Sequence, residues 1–216
     1  MPTVRTYGDR ALLIECAGTA EVIACSEALR EMDLPEVADI VPGAQTVLVR
    51  LCGTGLQMPI RDRLTDMEPS RLSMDHGDSG AEVVIDVVYD GADLAEVAAM
   101  LDMAIDEVVE AHTGTPWRAG FVGFAPGFAY LTPTAGSSDG PHPFHRIGRR
   151  PESRPRVPAG SVAIAAGYSA VYPRQSPGGW YLLGRTGVRL WDETADRPAL
   201  LAPGTLVRFA AEGDRR

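Results

Sequence analysis

Three side chains combine a type and a setting that suit proton transfer and anion binding: His112, Arg149 and Arg154. His112 ends an amphipathic run just ahead of Gly114 and Pro116. A helix C-terminus favours imidazolium, so His112 is the candidate proton carrier, with a structural core histidine as the alternative. Arg149 and Arg154 lie in "HPFHRIGRRPESRPR" (142–156), which gathers His142, His145 and five arginines into an otherwise acidic chain. The prolines favour extended backbone over helix there. A guanidinium fork matches a carboxylate or a phosphate with two parallel hydrogen bonds. Most of these arginines read as solvated partners of the acidic N-terminal half; Arg149 and Arg154 are the candidates for gripping an anion.

Two glycine-rich stretches offer exposed main chain. In "GFVGFAPGFAYL" (120–131), counting by twos puts Val122, Phe124, Phe128 and Tyr130 on one face and Gly123, Ala125, Gly127 and Ala129 on the other. Backbone that bare lets a ligand or another chain approach closely, or relieves crowding at a barrel corner. In "PRQSPGGWYLLGRTG" (173–187), Ser176, Pro177, Gly178 and Gly179 lead into Trp180. Successive glycine amides can form an anion-binding nest, or an ordinary hairpin turn. "RVPAGSVAIA" (156–165) places Ser161 at a strand start, without the G-x-S-x-G elbow of a nucleophile. The expected binding set is therefore Gly123, Phe124, Pro126, Gly127, Ser161, Ser176, Gly178 and Gly179.

Composition narrows the chemistry. All 20 Lys+Arg residues are arginine. Without lysine there is no Walker A cradle, no Schiff base for pyridoxal phosphate, and no attachment point for biotin. No metal site is expected. The net charge of −9 argues against nucleic acid or an anionic membrane as partner. Cys16, Cys25 and Cys52 lack C-x-x-C spacing and read as buried, reduced thiols. The first apolar run, "ALLIECA", is too short for a signal peptide, and nothing approaches the roughly 20 apolar residues of a membrane span. The expectation is a cytoplasmic protein.

The elements that must position these residues fall into two groups. "ALLIECA" (11–17) reads as a strand, residues 19–32 as a helix with Val22, Ile23, Ser26, Leu29 and Met32 inward, and "ADIV" and "AQTVLVRLC" as a strand pair about Pro42-Gly43. A short helix over 56–66 completes a small α+β domain of the ferredoxin-like sandwich type, residues 1–80. "EPSRLSMDHGDSG" (68–80) is its boundary. "AEVVIDVVY" (81–89) then begins a second domain, 81–212, before a short tail, 213–216. Asp90 or Asp93 caps a helix running to His112, with Leu94, Val97, Ala98, Leu101, Ile105, Val108 and Val109 inward. Beyond it, "GSVAIAAG", "SAVYP", "GWYLLG", "VRLWD" and "TLVRF" alternate with Gly/Pro turns, the pattern of a β-barrel or sandwich.

"VVYDGADLAEVA", "VVEAH", "GFVGFAPGFAYL", "VPAGSVAIA", "VYPRQSPGGWYLLGRT" and "LLAPGTLVRF" occur in that order. Together with "YGDRALLIE" and "VPGAQTVLV" they resemble the family of KipI and the 5-oxoprolinase B subunits, also called allophanate hydrolase subunit 1. The resemblance covers essentially the whole chain. It implies an α+β domain followed by a cyclophilin-like β-barrel. It also implies one member of an ATP-dependent enzyme complex that opens a small lactam, 5-oxoproline, to glutamate, acting with C-like and A-like partner subunits and inactive alone. ATP then belongs to the complex. The alternatives are a component of the allophanate hydrolase or urea carboxylase type, or an inhibitor of a sensor histidine kinase. His112 would move a proton, Arg149 or Arg154 hold carboxylate or phosphate, and the amides at Gly178 and Gly179 steady negative charge. Two departures lie near the implied groove: Glu152-Ser153 replace a usual Thr-Pro, and Tyr168-Ser169 a usual Gln-Thr.

Overall fold

Alternation at a period of two builds a four-stranded antiparallel sheet at the N-terminus, from β1 (Thr3–Tyr7), β2 (Ala11–Glu15), β3 (Val37–Pro42) and β4 (Thr46–Leu51) in the order β1-β2-β4-β3. Val4, Leu12, Ile14, Val47, Val49 and Leu51 face one side, where α1 (Thr19–Glu31) and α2 (Gln57–Thr65) cover them with Val22, Cys25, Leu29, Ile60 and Leu64. Each such side chain taken out of water contributes about 1.5–3 kcal/mol. The computed structural model describes residues 3–65, 82–134 and 142–213, and the chain divides into two units, Met1–Ser79 and Gly80–Arg216. The expected linker at 68–80 lies outside the described residues, as does the end of the tail.

Three local expectations change in this unit. Its described element order is ββαββα, whereas the ferredoxin-like motif runs βαββαβ. The additional strand, β1, escaped the sequence because only Val4 of its five residues is buried. Cys25, not Ile23, lies on the buried side of α1, and Cys52 is exposed rather than buried. Burial pushes the Cys16 thiol up to about 11 and the Cys25 thiol up to about 12, so neither is a nucleophile near neutrality.

The larger unit is built on a seven-stranded sheet of β5 (Val83–Val87), β6 (Trp117–Val122), β7 (Ala129–Pro133), β9 (Ser161–Ala165), β10 (Tyr168–Val171), β12 (Tyr181–Arg185) and β13 (Leu206–Ala211). Their order is β12-β9-β10-β7-β6-β13-β5. The pairs are antiparallel except β13 with β5, which is parallel. Val88, just past β5, exchanges two 2.9 Å backbone hydrogen bonds with Arg185 at the end of β12. Those bonds join the two edges and nearly close the sheet into a barrel. A separate pair, β8 (Arg154–Val157) with β11 (Ser176–Gly178), stands outside it. "VRLWD" forms no strand; Trp191 makes only an isolated bridge to Ala199.

The expected single helix is two. α3 (Leu94–Leu101) stops where Asp102 turns left-handed, φ +58°, and the Met103 amide reaches back 3.0 Å to the Ala98 carbonyl. That is a Schellman-type ending, and aspartate tolerates its geometry better than most residues. α4 (Ile105–Thr113) restarts with the Glu107 carboxylate accepting the Ala104 amide at 2.6 Å. The break rotates Ile105 outward, leaving it exposed and Val109 half-buried, while Val108 and His112 stay inside.

Period-two alternation then sorts the sheet's side chains into two clusters. Trp117, Leu131, Val162, Ile164, Val171, Leu183 and Phe209 pack with α3 and α4 on one face. Phe128, Ala163, Ala165, Ala170, Tyr172, Trp180 and Leu182 gather on the other. The first cluster is the core of the unit; the second carries the site.

Candidate functional site

"GFVGFAPGFAYL" is not one strand but a hairpin. β6 ends at Val122, β7 begins at Ala129, and Phe121, not Phe124, stacks on Tyr130 at 4.2 Å between ring centroids. Pro126-Gly127 is the turn signal that the aromatic alternation obscured. At the tip the Ala125 amide bonds the Gly123 carbonyl at 2.7 Å while Phe124 holds φ +68°. A two-residue hydrogen bond around a positive φ is the rare, strained form of the γ-turn. It lifts the Phe124 ring out to 59% exposure.

That ring stands at the lip of a cavity of about 220 Å³. Phe128, Tyr130, Tyr172 and Trp180 form its walls, and Pro177, Gly178 and Gly179 line a third side. The rings meet edge to face: Phe128 with Trp180 at 5.7 Å, Phe128 with Tyr172 at 5.3 Å, and Phe124 with Tyr172 at 6.3 Å. Such contacts lock one another's orientation. Two exposed polar side chains, Arg149 and Ser153, line its open side. Burial pushes the Tyr130 and Tyr172 hydroxyls up, against the opposing pull of Arg149, so both stay protonated near neutrality.

The structure brings together Arg149, Phe124, Gly178 and Gly179 from the sequence-based set, and adds Tyr172, Trp180 and Ser153. The signal for Tyr172 was present, since Ala170 and Tyr172 share a face by twos. Ser153 is one of the two residues by which the chain departs from the usual Thr-Pro.

The other candidates lie elsewhere. His112 is fully buried among Trp117, Phe144 and Phe209, on the opposite face of the sheet from the cavity walls. Its Nδ1 lies 2.7 Å from the Tyr89 hydroxyl and its Nε2 2.8 Å from Ser169 Oγ. Ser169 points its own hydroxyl to the Ala163 carbonyl at 3.4 Å, so Nε2–H donates to Ser169 and Nδ1 accepts from Tyr89. Burial pushes this imidazole down to about 3. A neutral histidine with both nitrogens engaged is not a proton carrier for the cavity. The helix-dipole argument fails because desolvation outweighs it.

Arg154 is likewise committed. Its Nη1 and Nη2 donate to Asp93 at 2.9 and 2.6 Å, Arg150 Nη1 adds a third bond at 2.8 Å, and the Leu182 amide a fourth at 2.7 Å. Asp93 therefore does not cap α3 with its side chain, and Asp90 instead pairs with Arg185 at 2.9 Å. The Asp93 cluster fixes the start of β8 against β12 and so positions the segment bearing Arg149. Arg149 has no hydrogen-bond or ion-pair partner among the described residues.

The remaining small residues serve packing. Gly127 lies against Trp191, with space for a Cβ only 2.9 Å from that residue's own. The Gly123 amide closes the hairpin on the Phe128 carbonyl at 3.2 Å, and Pro126 sits within the same turn. Ser161 is buried at the start of β9; Ser176 is buried and donates to the Arg174 carbonyl at 3.1 Å. Neither lines the cavity. Gly178 pairs with Arg154 in the β11–β8 ladder, and neither Gly178 nor Gly179 has positive φ, so the amide nest expected there does not form. Gly178 is nonetheless required: a Cβ on it would collide with the Tyr172 hydroxyl. Gly178→Ala should cost about 1–3 kcal/mol through overpacking. Adding Tyr172→Phe should return part of that loss in thermal unfolding; equal losses in single and double variants would refute the clash.

Residues 2–201 match the carboxyltransferase domain family, subdomains C and D. The chain belongs to that family. This carboxyltransferase C/D chain is 39% identical over 189 residues to the 5-oxoprolinase B subunit of Escherichia coli O157:H7, across 86% of its own length and 83% of that relative. The crystal structure of TTHA0988 superposes with a TM-score of 0.72 at 30% identity, over 97% of the C/D chain, which spans 40% of TTHA0988. The K. lactis urea amidolyase shares the fold, with a TM-score of 0.73 at 18% identity over 97% of the C/D chain and 15% of that enzyme. Among the described residues no cluster of three or more His, Cys, Asp or Glu side chains is arranged to hold a metal, and no helix is long and apolar enough to cross a membrane.

Proposed function

We propose that this C/D chain is the B subunit of an ATP-dependent 5-oxoprolinase, working with C-like and A-like partner subunits to open 5-oxoproline to glutamate. The observation that carries this reading is the 39% identity, sustained over 86% of the chain, to a protein of that name. The nearly closed sheet supports a cyclophilin-like larger unit. ATP supplies the driving force by phosphorylating the lactam oxygen, after which water can open the amide. The chain's own contribution is a binding surface. Without lysine it has no Walker A cradle for the triphosphate, and the histidine best suited by type to proton transfer is walled into the core.

Purified alone, the chain should show negligible ATPase stimulated by 5-oxoproline. Co-expressed with the C-like partner and assayed in the presence of the A-like one, it should release glutamate in step with ADP. Full turnover by the isolated chain would overturn the division of labour. A stable assembly inert toward 5-oxoproline, with all three subunits present, would overturn the reaction itself.

A further inference from the structure

We propose that the aromatic cavity beside Arg149 is the binding site for a small monocarboxylate built on a single ring, with Arg149 reading the carboxylate and the rings of Phe128, Tyr172 and Trp180 lining the body of the ligand. For the identity of that ligand as the lactam 5-oxoproline, this inference rests on the reaction proposed above. Its anion and shape selectivity rest on the cavity alone.

Charge, size and shape each limit the ligand. The other arginines of the neighbouring segment are spent or lie outside the cavity. Arg150 and Arg154 hold Asp93, Arg146 holds the Met100 and Leu101 carbonyls, and Arg156 does not line the walls. Arg149 lines the open side of the cavity, exposed and with no partner among the described residues, in a protein of net charge −9. Its planar fork offers two parallel donors, which a carboxylate accepts and a neutral amide does not. One guanidinium balances one negative charge.

At about 220 Å³ the cavity is smaller than the roughly 300–1,000 Å³ of sites for drug-sized molecules. That volume suits a single five- or six-membered ring with a carboxyl group. Gly178 and Gly179 lack positive φ and form no nest for a phosphate, which leaves Arg149 as the anion-binding group of this cavity.

The walls present ring faces and edges fixed by their mutual edge-to-face contacts, an apolar surface of set shape for the body of a small ring. Phe124, held outward on its strained turn, stands where it can fold over a bound ring. Strain of this kind persists where the surrounding structure enforces it and collects at ligand clamps.

The test uses the full chain and three probes: 5-oxoproline, pyrrole-2-carboxylate, and the uncharged lactam 2-pyrrolidinone. Binding is followed by calorimetry and by tryptophan fluorescence, because Trp180 forms a wall. Both carboxylates should bind saturably and 2-pyrrolidinone at least tenfold more weakly. Arg149→Met should erase that preference while leaving the unfolding transition unchanged. Phe124→Asn puts a residue at home in positive φ at the lip, so it should hold stability while weakening both carboxylates severalfold. Equal affinity for the charged and uncharged lactams, no binding of either carboxylate to the wild-type chain at millimolar concentration, or an unaltered affinity in Arg149→Met would each overturn the site. Arg149-dependent binding of pyrrole-2-carboxylate, together with an assembly of all three subunits that leaves 5-oxoproline intact, would keep the site and discard the reaction.

Discussion

Asp93→Ala should cost the larger unit about 3–5 kcal/mol of stability, the range for removing one partner of a buried ion cluster. Asp93 is 2% exposed and accepts from two guanidinium groups and one backbone amide. Deleting the carboxylate strands the Arg150 and Arg154 charges at only 22% and 25% side-chain exposure, beside an unpaired Leu182 amide. Arg150 keeps Glu96 at 3.3 Å and the Tyr181 ring 5.4 Å away, so part of its interaction survives. Arg154 keeps nothing comparable among the described residues. Asp93→Asn should cost nearly as much, because an amide offers one acceptor oxygen to these donors and turns its own N–H groups toward a cation. The exposed pair Arg185–Asp90 provides the contrast, at 66% and 48% side-chain exposure. Breaking it with Arg185→Ala should cost less than about 1 kcal/mol. Chemical unfolding measures all three variants. A loss under about 1 kcal/mol for Asp93→Ala would mean that the cluster contributes little to stability.

This cluster also changes how an inactive Arg154 variant is understood. Arg154→Ala should lower activity and stability together, since Arg154 acts through the placement of the Arg149 segment. Arg149→Met should lower ligand affinity with stability intact. The two arginines are close in sequence and of one type, yet their environments separate them. Measuring both properties on both variants distinguishes the positioning residue from the ligand-contacting one.

How much of this was legible in the sequence follows from the range of the interactions. The hairpin of β3 and β4, the strands β9, β10, β12 and β13, and the glycine-rich wall at Gly178 and Gly179 were readable, because alternation and turn residues are local signals. The break at Asp102 had a local sign too, in Glu107 placed to cap Ala104, but an unbroken apolar period hid it. The fate of Arg154 had none: its partner Asp93 is 61 residues away. His112 likewise meets Ser169 across 57 residues. An arginine and a histidine look the same in sequence whether they face a ligand or each find a buried partner. Tertiary pairing decided their roles; shorter-range pattern carried the β-rich larger unit, but not β1 or the order of elements in the smaller one.

The buried histidines make the fold sensitive to acid well above the range of ordinary carboxylates. His112 is pushed down to about 3 by desolvation and then by His142; His142 is pushed down to about 4 by desolvation and then by His145. His142 donates from Nε2 to Thr115 Oγ1 at 2.7 Å, and Thr115 donates onward to the Ala111 carbonyl at 2.6 Å, so this ring too is held neutral. In the unfolded chain both titrate near about 6.5. Above that value neither state carries the protons and the stability these rings contribute is fully present. As pH falls below about 6.5 the unfolded chain takes up two protons that the folded chain refuses, so stability drops by up to about 2.7 kcal/mol per pH unit. Near pH 4 His142 protonates in the folded state and its share of the slope ends, while that of His112 continues toward about 3. Between about pH 6 and pH 4.5, His142→Gln should therefore lower the pH dependence of unfolding free energy by up to about 1.4 kcal/mol per pH unit relative to the wild type. In the wild-type chain the imidazole carbon resonances of His112 should remain those of a neutral ring at about pH 5. A native-state titration midpoint above about 5.5 for either ring would show that water reaches a core the packing has closed.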